Sequence, residues 1–188
     1  MEATLVKSIT LLGLLLVVLY PMNSHAHAGK VDAKGCHNDR KTGQYHCHKT
    51  ADAIYVGVAS VIDGDTIEIH GEPFRLFGID APESKQLCKG ATGKPYRCGQ
   101  VAANALGNLI GGKTVTCEKR DLDRYKRIVA VCSVKGRDVG SYLVAKGLAV
   151  AFVKYSKIYV PQQSAARKAR LGLWAGPFEM PWDWRTAH

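Results

Sequence analysis

Residues 53–83 read AIYVGVASVIDGDTIEIHGEPFRLFGIDAPE and contain three predicted strands in close succession. The first, over 53–62, is rich in Val and Ile, and Asp63-Gly64 at its end is a hairpin signal. The second, over 66–70, alternates apolar and polar residues, and the third covers 74–79. This stretch therefore predicts that the domain is built on a β-sheet with short turns.

The rest of the chain adds two predicted strands and three predicted helices. The strands cover 114–118 and 128–134, and the helices cover 101–110, 139–146 and 160–170. Five strands with inserted and appended helices predict an α+β fold, a five-stranded β-barrel of the OB (oligonucleotide/oligosaccharide-binding) type with about three helices. We expect this domain to occupy residues 53–175, with a tail over 176–188.

The first 26 residues have the layout of a secretory signal peptide. An apolar run over 9–20 follows Lys7, and the small residues Ser24 and Ala26 come after it. The run is shorter than the roughly 20 residues of a membrane-spanning helix, although an uncleaved anchor is the alternative. We therefore expect cleavage after Ala26, a secreted or periplasmic monomer, and no stable membrane insertion of the mature chain.

The composition indicates a basic, folded protein. The chain has 26 Lys and Arg against 16 Asp and Glu, a net charge of +10, and losing the signal peptide removes one residue of each sign. With 46% apolar and 22% charged residues, a disordered tail, a collagen and a coiled coil are excluded. A basic secreted protein favours polyanions such as nucleic acid, anionic lipid or acidic polysaccharide.

A polar segment over 27–52 carries a dense group of Cys and His residues. Its possible metal ligands are Cys36, His37, His46, Cys47 and His48. Their spacing does not match the usual two-plus-two zinc finger. A disulfide between Cys36 and Cys47 is the alternative, and it would stabilise the segment by roughly 3 kcal/mol in the chain-entropy model. Both interpretations stay open at this point.

Four carboxylates are expected at one end of the barrel. Asp65 opens the second strand and Asp80 follows the third, so a chain reversal of about 17 Å each way, at about 3.3 Å per residue, returns them to the same end. Asp63 and Glu83 flank them in sequence. Such carboxylates repel one another unless a cation binds, and their oxygens suit Ca²⁺ or Mg²⁺. The alternative is a solvated hairpin turn.

Two arginines are expected beside these carboxylates. Arg75 lies on the face of its strand opposite its apolar neighbours, where its guanidinium is placed for a phosphate or for a structural ion pair with Glu83. Arg127 ends the charged loop before the fifth strand. Pro82 favours an extended conformation at Ala81, which can turn the Ala81 carbonyl toward the same site.

Four motifs in this order resemble the thermonuclease (staphylococcal-nuclease-like) family. They are VIDGDT over 61–66, RLFGIDAPE over 75–83, DRYKR over 123–127 and VAKGLA over 144–149. The resemblance covers about residues 53–175. It implies the barrel fold, DNA and RNA as substrates, and Ca²⁺-dependent phosphodiester hydrolysis that leaves 3′-phosphate ends.

The resemblance also implies roles for individual residues. Asp65, Asp80 and the Ala81 carbonyl would bind Ca²⁺, with Asp63 supporting them. Glu83 would accept a proton from the attacking water or orient it, and Arg75 and Arg127 would clamp the scissile phosphate. The residues that would contact neighbouring parts of the substrate are Arg124, Tyr125 and Tyr155.

This chain departs from the family pattern at several positions. Ala81 stands where Thr is common, and Lys126 replaces the Gly that usually precedes the arginine, which could misdirect Arg127. The cysteines are a further departure. We expect Cys88 to pair with Cys98, and Cys117 and Cys132 could face each other on adjacent strands, although six cysteines allow fifteen connectivities.

Two other functions compete with a nuclease. One is a non-catalytic nucleic-acid-binding OB module, which the complete set of carboxylates and arginines disfavours. The other is an envelope metal-binding or adhesion protein, in which the Cys/His segment is the primary feature.

Overall fold

The computed structural model describes residues 53–188 and, before them, the backbone of two short strands. These strands, β1 (Cys36–Asn38) and β2 (Tyr45–Cys47), pair antiparallel with Cys36 opposite Cys47. The chain divides between His48 and Lys49 into two units, and each is considered by itself. The predicted signal peptide, and the choice between a disulfide and a metal site at Cys36 and Cys47, lie outside the described residues.

Residues 53–188 contain ten strands and four α-helices. The strands are β3 (Ile54–Val61), β4 (Thr66–Ile69), β5 (Glu72–Leu76), β6 (Ile79–Asp80), β7 (Leu87–Lys89), β8 (Pro95–Arg97), β9 (Thr114–Leu122), β10 (Ile128–Val134), β11 (Arg137–Asp138) and β12 (Val150–Ala151). The helices are α1 (Cys98–Ile110), α2 (Val139–Ala145), α3 (Val160–Lys168) and α4 (Pro181–Ala187), with a 3₁₀ helix at Gly172–Ala175. Within this part of the chain, no helix is long and apolar enough to cross a membrane.

Five strands close into a barrel, which confirms the predicted fold class. Hydrogen bonding joins them in the order β10-β5-β4-β3-β9, and β9 pairs again with β10 to complete the circle. The β5–β10 contact is parallel and the others are antiparallel. Every strand of the barrel was predicted, although β9 extends four residues beyond its predicted end because it continues to pair with β10 up to Leu122.

The core lies inside the barrel and under α1 and α2. Ile67 and Phe74 from β4 and β5 are fully buried, and they pack with Leu106 of α1 and Leu143 of α2. Strand β10 shows why the sequence folds this way, since its residues alternate strictly between buried and partly exposed. Each fully buried side chain of this size contributes about 1.5–3 kcal/mol through burial alone.

The third predicted strand is interrupted, and the interruption positions Asp80. The prediction placed one strand over 74–79, but β5 ends at Leu76 and β6 begins at Ile79. Gly78 between them has φ 73°, a conformation that favours glycine and turns the chain. After the turn, Asp80 pairs with Val150 of β12 instead of continuing along β4.

The C-terminal segment, residues 176–188, packs on a second apolar cluster outside the barrel. A disulfide joins Cys88 and Cys98 at the centre of this cluster, with their Cα atoms 5.6 Å apart. The apolar side chains packed against it include Phe178, Met180 and Trp182. A second disulfide, Cys117–Cys132, joins directly opposed residues of β9 and β10. Both pairs are those expected from the sequence, whereas α4 was not predicted.

Candidate active site

Strand register brings Asp65 and Asp80 to the same end of the barrel. Asp65 precedes β4, whose first residue Thr66 is opposite Arg75 of β5. The Asp65 carbonyl accepts a hydrogen bond from the Leu76 N–H at 2.9 Å, and the Asp65 carboxylate accepts one from the Ala81 N–H at 2.8 Å. Asp80 is fully buried and Asp65 is 6% exposed. Two buried carboxylates therefore lie beside each other, as the chain reversal predicted.

Asp63 shapes the turn that leads into this site. Its carboxylate accepts a hydrogen bond from the Asp65 N–H at 3.0 Å, and the Asp63 N–H donates to the Thr66 carbonyl at 3.2 Å. Gly64 between the two aspartates lies so close to Ala81 and Ala102 that a Cβ would be 2.8 and 2.9 Å from their side chains. The Asp-Gly-Asp turn thus positions Asp65 through short-range contacts.

One guanidinium joins the two buried carboxylates. Arg75 Nη2 donates to Asp80 Oδ1 at 2.7 Å, and Nη1 forms an ion pair with the Asp65 carboxylate. The same two nitrogens reach the carbonyl oxygens of Asp65 at 3.5 Å and Ile79 at 3.4 Å. Burial lowers the pKa of Arg75 below its ordinary value, although Asp80 opposes this shift. Arg75 therefore holds the acidic pair together from inside the protein.

Arg127 reaches the same end of the barrel from the loop between β9 and β10. Its Nε donates to Asp123 Oδ2 at 2.7 Å, and its Nη1 is 3.4 Å from Thr66 Oγ1. Burial raises the pKa of Asp123, but hydrogen bonds from Arg127 outweigh this and bring it below its ordinary value. Lys126, at the position of the family's usual glycine, has φ 65°. The loop thus adopts the left-handed turn without glycine.

Glu83 is connected to Asp80 by an arginine that sequence analysis missed. Arg185 of α4 donates through Nη1 and Nη2 to the two oxygens of Asp80, at 3.0 and 2.8 Å, and through Nη1 to Glu83 Oε1 at 2.8 Å. Burial lowers the pKa of Arg185, but its bonds to Asp80 and Glu83 outweigh this and raise the pKa above its ordinary value. Glu83 thus forms its ion pair with Arg185, whereas Arg75 forms ion pairs with Asp65 and Asp80.

The predicted substrate contacts, Arg124, Tyr125 and Tyr155, are exposed. Tyr125 is 65% exposed, and the guanidinium carbons of Arg124 and Arg127 lie 4.8 and 5.6 Å from its ring centre. Tyr155 is 64% exposed and packs edge-on against Phe152. Both tyrosines are mostly exposed, and exposed aromatic rings are surfaces on which bases can stack.

The donor set suits a divalent cation in chemistry and charge. Four carboxylates stand near Arg75 and Arg185, which leaves two negative charges, since the nearby Arg127 is paired with its own carboxylate, Asp123. The four carboxylates are those of Asp63, Asp65, Asp80 and Glu83. Carboxylate oxygens are the ligands that Ca²⁺ and Mg²⁺ prefer. Within the described residues, no three or more His, Cys, Asp or Glu side chains surround a common point. A cation here would therefore depend on the two buried aspartates and on backbone oxygens or water.

Local sequence contained no signal for Arg185. It lies 105 residues from Asp80 and 102 from Glu83, in a short helix of seven residues. In the same C-terminal segment, Trp182 stacks on Phe152 with ring centres 5.4 Å apart. That packing brings Arg185 to the site.

Comparisons with known proteins point to one family. A family model described as staphylococcal nuclease homologue matches residues 73–176. An uncharacterized endonuclease of Escherichia coli is 34% identical over 140 residues, which cover 70% of this chain and 85% of that protein. The staphylococcal-like nuclease CAN1 of Arabidopsis thaliana is 37% identical over 114 residues, covering 59% of this chain and 32% of its own.

A third relative carries the name of a biosynthesis protein instead of a nuclease. The succinoglycan biosynthesis protein ExoI of Rhizobium meliloti is 42% identical over 122 residues. The matched region covers 63% of this chain and 64% of the length of that relative.

Proposed function

The chain belongs to the family of staphylococcal nuclease homologues and is a nuclease-type hydrolase, and from this premise we propose that it hydrolyses phosphodiester bonds of DNA and RNA with Ca²⁺, leaving 3′-phosphate ends. One observation carries the proposal. Arg75 holds the buried Asp65 and Asp80 side by side at the end of the barrel, where Arg127 also reaches. The family as a whole is generally calcium-dependent.

The cation is held by Asp65, Asp80 and the Ala81 carbonyl in this proposal. Asp63 supports them by fixing the backbone of Asp65 through its 3.0 Å hydrogen bond. When bound, Ca²⁺ supplies positive charge beside the phosphate that is attacked. The burial of both aspartates keeps their carboxylates in place before substrate arrives.

Glu83 accepts a proton from the attacking water or orients that water. Its side chain is 32% exposed, so water reaches it, and the bond from Arg185 to Oε1 holds the carboxylate in one orientation. A general base needs to be within hydrogen-bond reach of the proton that it removes, and Glu83 borders the site from the loop after β6.

Arg75 and Arg127 stabilise the negative charge that develops on the phosphate oxygens. Arg75 does this while it holds the two aspartates. Arg127 keeps one edge toward Asp123 and uses its remaining donors for the phosphate. Fixed donors aimed at developing charge are typically worth about 10²–10³ in rate each.

Neighbouring parts of the substrate contact Arg124, Tyr125 and Tyr155. Contacts to phosphates and stacked bases read little sequence, so we propose low sequence specificity and strong salt sensitivity. The mature protein acts as a secreted or periplasmic monomer after cleavage following Ala26. The disulfides Cys88–Cys98 and Cys117–Cys132 support an oxidising compartment.

Digestion of plasmid DNA and of RNA by the purified protein tests the proposal, with Ca²⁺ and with a chelator. We expect both substrates to be degraded with Ca²⁺, with 3′-phosphate ends, and neither with chelator. Glu83→Gln should lose most of this activity, and Glu72→Gln is the matched control because Glu72 is exposed at the far end of the β4–β5 hairpin. Activity that persists in chelator contradicts the cation, and no activity with any metal favours a non-catalytic binding module.

A further inference from the structure

Arg185 is fixed at the site by packing of the whole C-terminal segment. Gln86, fully buried, donates to the Glu179 carbonyl at 2.7 Å and accepts from the Glu83 N–H at 3.2 Å. Gly176 lies so close to Lys89 that a Cβ would overlap the Lys89 carbonyl. The segment therefore docks on the same loop that carries Glu83, and this docking sets the position of Arg185.

The guanidinium of Arg185 uses one edge for the protein and keeps another open. Nη1 and Nη2 together face Asp80, and the second Nη1 hydrogen faces Glu83. The Nε–H and the second Nη2–H form the other edge, and they have no hydrogen-bond partner within residues 53–188. The Arg185 side chain as a whole is 37% exposed, so it lies at the protein surface.

Arg75 differs from Arg185 in how many of its guanidinium donors are already bonded to the protein. Its two Nη atoms make four contacts with protein oxygens, those of Asp65, Asp80 and Ile79, and its side chain is only 13% exposed. Arg75 thus has little donor capacity left for a ligand, although its charge still acts at the site. Arg185 therefore has a pair of neighbouring N–H groups without a protein partner, which the two Nη atoms of Arg75 lack.

We propose that Arg185 is a further phosphate-binding residue of this nuclease, which binds a phosphate of the polynucleotide through its open Nε–Nη2 edge. This inference rests on the proposed function. The open edge is a planar fork of two N–H groups, the geometry that binds a phosphate bidentately. Asp80 and Glu83 hold the opposite edge, so the fork is oriented before the phosphate arrives.

The contacts of Arg185 with Asp80 and Glu83 are also compatible with a role that lowers nuclease activity. The experiment distinguishes that role from phosphate binding. If Arg185 instead blocked the cation by occupying both oxygens of Asp80, its removal would raise activity. If it only neutralised Asp80 and Glu83, a lysine would serve equally well, because lysine keeps the charge but lacks the planar fork.

The experiment compares Arg185→Ala, Arg185→Lys and the control Arg137→Ala with the parent protein. Arg137 lies in β11, which pairs with residues 133–134 at the end of β10 remote from Arg127, about 20 Å away at about 3.3 Å per residue. The first readout is kcat/KM on single-stranded DNA with Ca²⁺. The second is the salt dependence of oligonucleotide binding in chelator, followed by fluorescence anisotropy.

We expect Arg185→Ala to lower kcat/KM about 10²-fold and to reduce the slope of log K against log salt by about 0.7, the value for one phosphate contact on a single strand. Arg185→Lys should keep the parent slope but recover only part of kcat/KM, and Arg137→Ala should match the parent in kcat/KM. Melting temperatures show whether each variant is folded.

Three outcomes would overturn the inference while leaving the nuclease function intact: higher activity of Arg185→Ala than of the parent, full recovery by Arg185→Lys, or an unchanged salt slope in Arg185→Ala. A parent protein that is inactive with every divalent cation would instead contradict the proposed nuclease function itself.

Discussion

The two sides of the acidic site are built in different ways. On one side, Asp65, Arg75 and Asp80 lie within 16 residues of one another and are positioned by neighbouring strands and a glycine turn. On the other side, Arg185 comes from 105 residues away and is positioned by docking of the C-terminal segment on a second apolar cluster. Asp80 is the residue on which the two sides meet.

The strand side of the site is rigid, whereas the C-terminal side depends on packing between distant segments. Register in a closed barrel cannot shift without turning every side chain to the other face, so the strand side is strongly specified. The C-terminal side depends on one disulfide, a few aromatic contacts and the buried Gln86. Perturbing one side should leave the other largely intact.

The largest effect is expected at the shared residue. Asp80→Ala removes one carboxylate partner from Arg75 and one from Arg185, although Arg75 keeps Asp65 and Arg185 keeps Glu83. A buried charge left wholly unpaired costs about 3–5 kcal/mol, so we expect a loss near the lower end of that range, about 3 kcal/mol. Urea unfolding of this variant should show a loss of stability of that size, together with loss of nuclease activity. Glu72→Ala, an exposed carboxylate on the same hairpin, is the control. A loss below about 1 kcal/mol for Asp80→Ala would mean that the two arginines do not depend on it.

The next effect separates the two predicted clamp arginines. Arg75→Ala and Arg127→Ala should each lower the rate by about 10²–10³ or more, because Arg127→Ala removes a fixed donor near the phosphate and Arg75→Ala removes the positive charge that holds both aspartates there. Only Arg75→Ala should also lose substantial stability, since Arg75 joins two buried carboxylates whereas Arg127 pairs with Asp123 at the barrel edge. Steady-state kinetics and urea unfolding check both parts. Near-normal turnover in either variant would remove that arginine from the site.

The two disulfides provide a test of the docking side alone. Replacing both Cys88 and Cys98 by Ala should cost about 3 kcal/mol by the loop-closure estimate, and replacing Cys117 and Cys132 should cost about the same. Only the first pair lies under the C-terminal segment. Tryptophan fluorescence reports all three tryptophans, Trp174, Trp182 and Trp184, and the first two pack against the second apolar cluster. It should therefore change in the first double variant and stay unchanged in the second. Equal changes in both would show that the barrel and the C-terminal segment are not separable.

How far the sequence predicts this site follows the same division. The Asp-Gly hairpin signal and strand alternation predicted the proximity of Asp65 and Asp80, because both are local patterns with a fixed period. The split at Gly78 was missed because a glycine within an apolar run does not by itself show a turn. Arg185 was missed because its position results from packing between distant segments, which leaves no periodic pattern near residue 185.

The smallest effect is expected in the loop that carries Arg127. Lys126 occupies a left-handed conformation with φ 65°, which costs a non-glycine residue about 1–2 kcal/mol. Lys126→Gly relieves this strain but adds freedom to the unfolded chain, worth about 0.4–1 kcal/mol in the opposite direction. The net gain in stability should stay within about 1 kcal/mol, with turnover unchanged. A clear gain in turnover would show that the lysine misdirects Arg127.

Calorimetric titration of Ca²⁺ into the purified protein tests most directly whether the buried aspartates form a cation site. The parent protein and the control Glu72→Gln should each bind one Ca²⁺ at this site, and Asp65→Asn should lose that binding while remaining folded by circular dichroism. Undiminished Ca²⁺ affinity in a folded Asp65→Asn variant would contradict the account.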